Sequence, residues 1–395
     1  MIGFEIIYGR GFKVKKTAVT NVTIVRPDRL IPNGTVVFEG DTITDFGPAK
    51  KVAIPADCEI IDGNGLYCGP GLVDIHTHAG NNVFFTDGPE EAAQEHLHHG
   101  TTSVYPALYF SFDSKGYVEA IDLIRESMRD DRCRNIAGVY MEGPFLNPKF
   151  GCDKENNPWP TVDREKYMPV IEAAKDLACV WAVAPEREGI LNYINDVRAL
   201  VPDAVFSVAH SEAAPWEVEA LMPYGLKIGT HHTDATGKYH EFPDPEILGV
   251  GVDEAVNMND DIYAELIVDS IGVHVHPYML RLIRKIKGDD KLILISDAYA
   301  AHGPIPDGYE GVDDLNFDFT GEIAGSRLTL DKACRNMMRH TGASLVNVFN
   351  YASYNPSKAI GLKDRGEIAV GKRADLILTD GEMNVKKVIH KGEVI

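Results

Sequence analysis

Cysteine is sparse and unpaired in this chain. Cys58, Cys68, Cys133, Cys152, Cys179 and Cys334 are scattered over 395 residues without a C-x-x-C pair, so they read as reduced thiols filling the core of a cytoplasmic protein. Long apolar runs are missing too, which excludes a helical membrane span. The start, Met1 to Lys16, has an Ile6-Ile7 pair but no signal-peptide centre or small-residue cleavage site. Residues 1–16 are expected to be an extension. Positive charge is in deficit: 39 Lys and Arg face 59 Asp and Glu, a formal charge of -20. That excludes nucleic acid and anionic membrane as general partners. It also means that an anionic substrate needs a locally positive pocket. No Gly-rich phosphate fingerprint follows the first barrel-like strand, and no internal repeat or low-complexity tract is present.

What remains is an ordinary globular composition, 44% apolar and 25% charged, in a chain long enough for one large domain and a smaller one. The two ends are strand-rich. Val22–Val25 and Gly34–Phe38 precede a turn at Glu39-Gly40-Asp41; near the other end Asp375–Thr379 and Lys387–His390 flank Gly381-Glu382. Between them, strand patterns at Leu72–His76, Ser103–Pro106, Ile136–Met141, Cys179–Ala184, Ala204–Ala209, Gly225–Thr230, Ala264–Val268 and Leu292–Ser296 alternate with helical ones. The helical stretches are Tyr117–Met128, Pro169–Lys175, Ile190–Leu200, Trp216–Met222 and Pro277–Ile286. Eight strands separated by helices predict an α/β fold, a (β/α)8 barrel of the TIM type. The expected division is a barrel over 69–362 and one small β domain built from both chain ends, 1–68 and 363–395.

Active sites of such barrels lie at the C-terminal strand ends, and there this sequence concentrates its chemistry. The first strand ends in His76-Thr77-His78, whose i, i+2 spacing puts both imidazoles on one strand face. Later strands end in Glu142-Gly143-Pro144, His210, His231-His232 and Asp297. Singly, each has a bland reading, such as a helix cap or a core histidine. Together, four imidazoles and a carboxylate suit zinc or ferrous iron better than magnesium. One or two ions would fit, with Glu142 bridging His76 and His78 on one side and His210 and His231 on the other. Asp297 is left over as the general base and acid of a hydrolysis.

These strings resemble the amidohydrolase superfamily. Gly71-Leu72-Val73-Asp74-Ile75-His76-Thr77-His78, Glu142-Gly143-Pro144-Phe145-Leu146-Asn147, Ala184-Pro185-Glu186, His210-Ser211, Thr230-His231, Ser296-Asp297-Ala298 and Gly325-Ser326-Arg327-Leu328-Thr329 carry the likeness. Within the superfamily they look like the N-acetylglucosamine-6-phosphate deacetylases, and Glu142 replaces the carboxylated lysine of sister families. The resemblance implies a small β sandwich beside the barrel, a homodimer, and removal of an N-acetyl group from an amino-sugar phosphate. It implies metal ligands His76, His78, Glu142, His210 and His231, and catalytic Asp297 and His274, the latter also contacting substrate. It also implies a substrate-binding set of Asp234, Ala235, Lys238, Ala324, Gly325 and Ser326; His276 is read as helix-start surface.

Three departures stand out. The segment after Glu-Gly-Pro reads Lys149-Phe150-Gly151-Cys152-Asp153-Lys154, without the histidine of related chains. Asp234 occupies an asparagine position, and an expected arginine is absent, leaving Lys238 or His240 to stand in. A different N-acyl sugar, an unphosphorylated substrate or a cyclic amide remain alternatives, with a non-catalytic barrel behind them.

Overall fold

The computed structural model describes residues 14–151, 157–239, 248–300 and 303–395. His240, Cys152 and most of the proposed extension at 1–16 lie outside the described residues. Five strands come first: β1 (Lys16–Arg26), β2 (Arg29–Glu39), β3 (Thr42–Pro48), β4 (Glu59–Asp62) and β5 (Tyr67–Pro70). The barrel strands follow as β6 (Leu72–Thr77), β7 (Thr101–Tyr109), β8 (Val139–Glu142), β9 (Ala178–Val183), β10 (Phe206–Val208), β11 (Leu226–Gly229), β12 (Tyr263–Ile267) and β13 (Leu292–Ile295). The chain returns through β14 (Leu376–Thr379), β15 (Val385–His390) and β16 (Glu393–Val394). All eight barrel-strand expectations correspond to strands, with boundaries shifted by at most three residues.

Strands β6 to β13 are neighbours in sequence order and all parallel. Two backbone bonds link the ends of the series. The Asp297 amide donates to the His76 carbonyl at 3.0 Å, and the His78 amide donates to the Ala298 carbonyl at 2.9 Å. The closure therefore runs through the residues expected to do chemistry. β6, β8, β12 and β13 are buried along their whole length, as parallel strands covered on both faces must be.

The helices that cover the barrel follow simple rules. The helix Ile190–Leu200 buries Ile190, Tyr193, Ile194 and Val197, an i, i+3, i+4, i+7 stripe. The helix Pro277–Lys287 opens with proline under a His276 cap that accepts from the Tyr278 amide, in keeping with the surface reading of His276. The helix Arg164–Ala174 begins five residues before the expected start at Pro169. Its buried stripe, Tyr167, Val170, Ile171 and Ala174, straddles Pro169, and Asp163 caps the true start by accepting from the Glu165 amide. Packing and capping outweigh the one backbone bond that proline forfeits.

Both chain ends join one sheet, ordered β16-β15-β14-β5-β1-β2-β3 with β4 also beside β1. β5 pairs antiparallel with β14, which ties the ends together. The far edge curls back, with the Ile43 amide on the Lys372 carbonyl at 2.8 Å. Val19, Ile24, Val36 and Phe38 thus share a core with Leu376, Leu378 and Ile389. The expected sandwich is one sheet folded over its own core. The five described cysteines are free thiols, and no helix among the described residues is long and apolar enough to cross a membrane.

Candidate active site

The six strand-end residues converge. His76 lies within β6 and His78 one residue past it, Glu142 ends β8, and His210, His231 and Asp297 each follow their strand by two residues. All six are buried. His210, His231 and Asp297 hold φ of 42°, 30° and 45°, a left-handed backbone that non-glycine residues seldom adopt. Each turn falls where the chain leaves its strand, and the side chain it carries reaches the cluster around Glu142 and His78. Such strain gathers where surrounding structure enforces a functional geometry.

Glu142 sits at the centre, and its two oxygens divide the histidines. Oε2 lies 3.0 Å from His78 Nε2 and 3.6 Å from His76 Nε2. Oε1 lies 2.9 Å from His210 Nε2 and 3.4 Å from His231 Nε2. Two triads result, His76–His78–Glu142 and Glu142–His210–His231, each with donor atoms within 4.8 Å of one another. Asp297 Oδ1 stands 3.3 Å from His78 Nε2.

Hydrogen bonds alone do not satisfy this cluster. His76 Nε2 and Glu142 Oε2 are buried without a hydrogen-bond partner. His210 Nε2 and His231 Nε2 approach to 3.1 Å, where only one proton can sit between them. A cation in each triad would satisfy these atoms, and imidazole with carboxylate is the donor set that transition-metal ions accept. The electrostatics agree. Burial would raise the Glu142 carboxyl, but the His76 charge and hydrogen bonds from His210 and His231 hold it well below the carboxylate range. Asp297 is likewise buried, yet the His76 charge and the His78 hydrogen bond bring it down to about 2. His78, disfavoured by burial, is raised to about 9 by Asp297 and Glu142. The carboxylates favour positive charge here, as protons or as metal ions.

A cavity of about 310 Å³ opens beside this cluster, with Lys149, Asp234, Ala235, His274, Ala324 and Gly325 in its walls. His274 Nδ1 lies 3.2 Å from Asp269 Oδ2 and Nε2 lies 3.1 Å from the Gly325 carbonyl. Both neighbours only accept, which favours the form of the ring that carries a proton on each nitrogen. Burial opposes that charge, and the Asp269 hydrogen bond overcomes it. Asp234 Oδ2 is buried without a partner, and burial pushes its carboxyl up to about 7.

Lys238 and Ser326 are not among the cavity's lining residues. Lys238 Nζ is held by Asp253 at 3.2 Å and Glu254 at 2.8 Å. Ser326 braces the neighbouring loop, its amide donating to the Asp297 carbonyl at 2.7 Å and its carbonyl accepting from the Tyr299 amide at 2.9 Å.

The amidohydrolase family model matches residues 67–395 of this chain. The chain belongs to the amidohydrolase family. It is 27% identical over 396 residues to N-acetylglucosamine-6-phosphate deacetylase of Caenorhabditis elegans, spanning 93% of this chain and 89% of that one. It is 26% identical over 347 residues to N-acetylgalactosamine-6-phosphate deacetylase of Escherichia coli O157:H7, spanning 83% and 87%. Among solved structures, N-acetylglucosamine-6-phosphate deacetylase from Pasteurella multocida superposes with a TM-score of 0.82 at 28% identity, covering 96% of this chain and 99% of that one.

Sequence reading assigned no role to three carboxylates of this amidohydrolase. Asp269 accepts from the backbone amides of Ile271, Gly272, Val273 and His274 and so builds the loop that carries His274. Glu186 lies in a quoted motif and accepts from Asn147 at 2.9 Å and Ser211 at 2.7 Å, linking two strand-end loops. Glu265, fully buried in β12, lies 3.3 Å from His76 Nδ1. Its only sequence signal is an acidic residue inside an apolar run.

Proposed function

We propose that this amidohydrolase removes the acetyl group from an N-acetyl amino-sugar phosphate, N-acetylglucosamine 6-phosphate above all, giving acetate and the free amine. The observation that carries the reading is the Glu142 carboxylate shared between two histidine pairs with Asp297 beside it. The two deacetylase relatives and the solved neighbour support the substrate class. His76, His78 and Glu142 would hold one ion and Glu142, His210 and His231 another, zinc or ferrous iron on the nature of the donors. A divalent ion held there would supply a Lewis acid for the substrate carbonyl and lower the pKa of water.

The chain's own groups supply the proton chemistry. Asp297, ionised and aimed into the cluster, takes the proton of the attacking water. It returns that proton to the sugar nitrogen as the C–N bond breaks. The His274 Nε2–H, which meets the Gly325 carbonyl at the cavity wall, would exchange that acceptor for the acetamide oxygen or a sugar hydroxyl of the substrate. Asp234, Ala235, Ala324 and Gly325 shape the sugar pocket. Lys149 lines the cavity, where Lys238 does not, and it pairs with the one carboxylate of Glu212 where Lys238 is held by two, so it is the cation best placed for a phosphate. In this reading the barrel over 69–362 performs the chemistry, the end segments support it, and the working form is a cytoplasmic homodimer.

Acetate release from N-acetylglucosamine and N-acetylgalactosamine, each with and without a 6-phosphate, tests the substrate. Preference for a 6-phosphate is expected. Faster turnover of the unphosphorylated sugars would overturn the phosphate and leave the deacetylation standing.

A further inference from the structure

Four imidazoles surround Glu142, and their outward-facing nitrogens are treated differently. His78 Nδ1 lies 3.1 Å from the Ala107 carbonyl and His231 Nδ1 lies 3.3 Å from the Asp234 carbonyl. His210 Nδ1 is buried without a partner. Among the described residues, only His76 meets a carboxylate there, with Glu265 Oε2 at 3.3 Å from Nδ1. Glu265 has no exposed surface, its second oxygen Oε1 is unpartnered, and it stands between Ala264 and Leu266 in a wholly buried strand. Tyr140 closes off the His76 ring by stacking on it at 4.3 Å, while its own hydroxyl is engaged by Ser207 and Thr230. His76 is thus the hydrogen-bond partner that the structure gives the Glu265 carboxylate.

A bare carboxylate in a barrel interior is costly unless it answers a charge. We infer that Glu265 is a positioning residue for the His76–His78–Glu142 site: it holds the proton of His76 on Nδ1, leaves Nε2 bare toward Glu142, and strengthens that nitrogen as a donor to a metal ion. A carboxylate behind a ligating imidazole fixes its tautomer and raises its basicity, and losing it commonly weakens metal binding about 10–100-fold. The inference rests on the proposed role of His76 as a metal ligand. It adds that the two triads are unequal, because among the described residues the His210–His231 pair has no such carboxylate.

The test titrates the full chain with Zn2+ against a chromophoric chelator, in the wild type and in Glu265→Gln, Glu265→Ala and His76→Ala. The expected result is two binding steps in the wild type, one of them lost in His76→Ala. That same step should weaken about 10–100-fold in Glu265→Gln while the other is unchanged. An unchanged step in Glu265→Gln, with His76→Ala still losing it, overturns the role of Glu265 alone. Unaltered binding in His76→Ala overturns the metal reading of His76 and this inference with it. A second readout needs no altered fold: 15N spectra of histidine-labelled, zinc-loaded wild type should show His76 protonated at Nδ1. A proton on Nε2 overturns the inference.

Discussion

At the residue scale, the site divides into groups that hold charge and groups that move protons, and single substitutions separate them. Asp297→Asn keeps the shape of the side chain but removes the proton acceptor. Turnover should fall by about 10³-fold or more, while elemental analysis finds metal content unchanged. His231→Ala removes a ligand instead, so metal content itself should drop. Asp234 presents a buried, unpartnered oxygen to the cavity, where an amide could donate to substrate and carries no charge. Asp234→Asn should therefore lower KM for the 6-phosphate several-fold, about 1 kcal/mol, with a smaller change in kcat. Lys149→Ala should raise KM for the phosphorylated sugar and leave the unphosphorylated one nearly unaffected.

At the element scale, the loops after the strands are fixed by a few backbone requirements. Gly325 has φ +55°, and a Cβ there would meet the Asp297 carbonyl at 2.5 Å and Tyr299 Cβ at 2.9 Å. Gly325→Ala must push the Asp297 loop aside, so kcat should fall about 10–100-fold with metal content retained. A different junction supports the barrel wall. Asp331, in the first turn of the helix Leu330–Thr341, binds His99 at 3.2 Å and Arg335 at 2.8 Å. Burial opposes its ionisation, but His99 and Arg335 bring its carboxyl from 3.8 to about 2. A depressed carboxyl contributes stability that is full above its unfolded pKa and is lost as pH falls toward 2. Asp331→Asn should cost about 2 kcal/mol at pH 7 and distinctly less at pH 3, as urea unfolding at the two values would show.

At the scale of the whole molecule, the barrel series is linked end to end at its chemical centre, where the His76 carbonyl and the Asp297 amide join the first and last strands. Metal binding and barrel stability should therefore be coupled. Stripping the metal with a chelator should lower Tm by several degrees, since a ligand present at about 1,000 times its Kd contributes about 4 kcal/mol. Scanning calorimetry before and after chelation checks this. Eight apolar runs alternating with helical stripes made the barrel legible, and strand-end position picked out His76, His78, Glu142, His210, His231 and Asp297 as a group. Glu265 escaped because nothing local distinguishes an acid in a buried strand from a misjudged boundary. Lys238 misled because its partners, Asp253 and Glu254, lie fifteen residues or more away along the chain.

The sequence by itself determined the alternation of strand and helix, the family, and the donor types available to a metal ion, because periodicity and residue chemistry are local. Only the tertiary structure decided that the two oxygens of Glu142 face different histidine pairs, that Asp269 favours the charged form of His274, and that among the described residues His76 alone of the four imidazoles is backed by a carboxylate. Those are relations between strands far apart in the chain. The left-handed turns at His210, His231 and Asp297 and the closure of the barrel set them, and no spacing along the sequence records them.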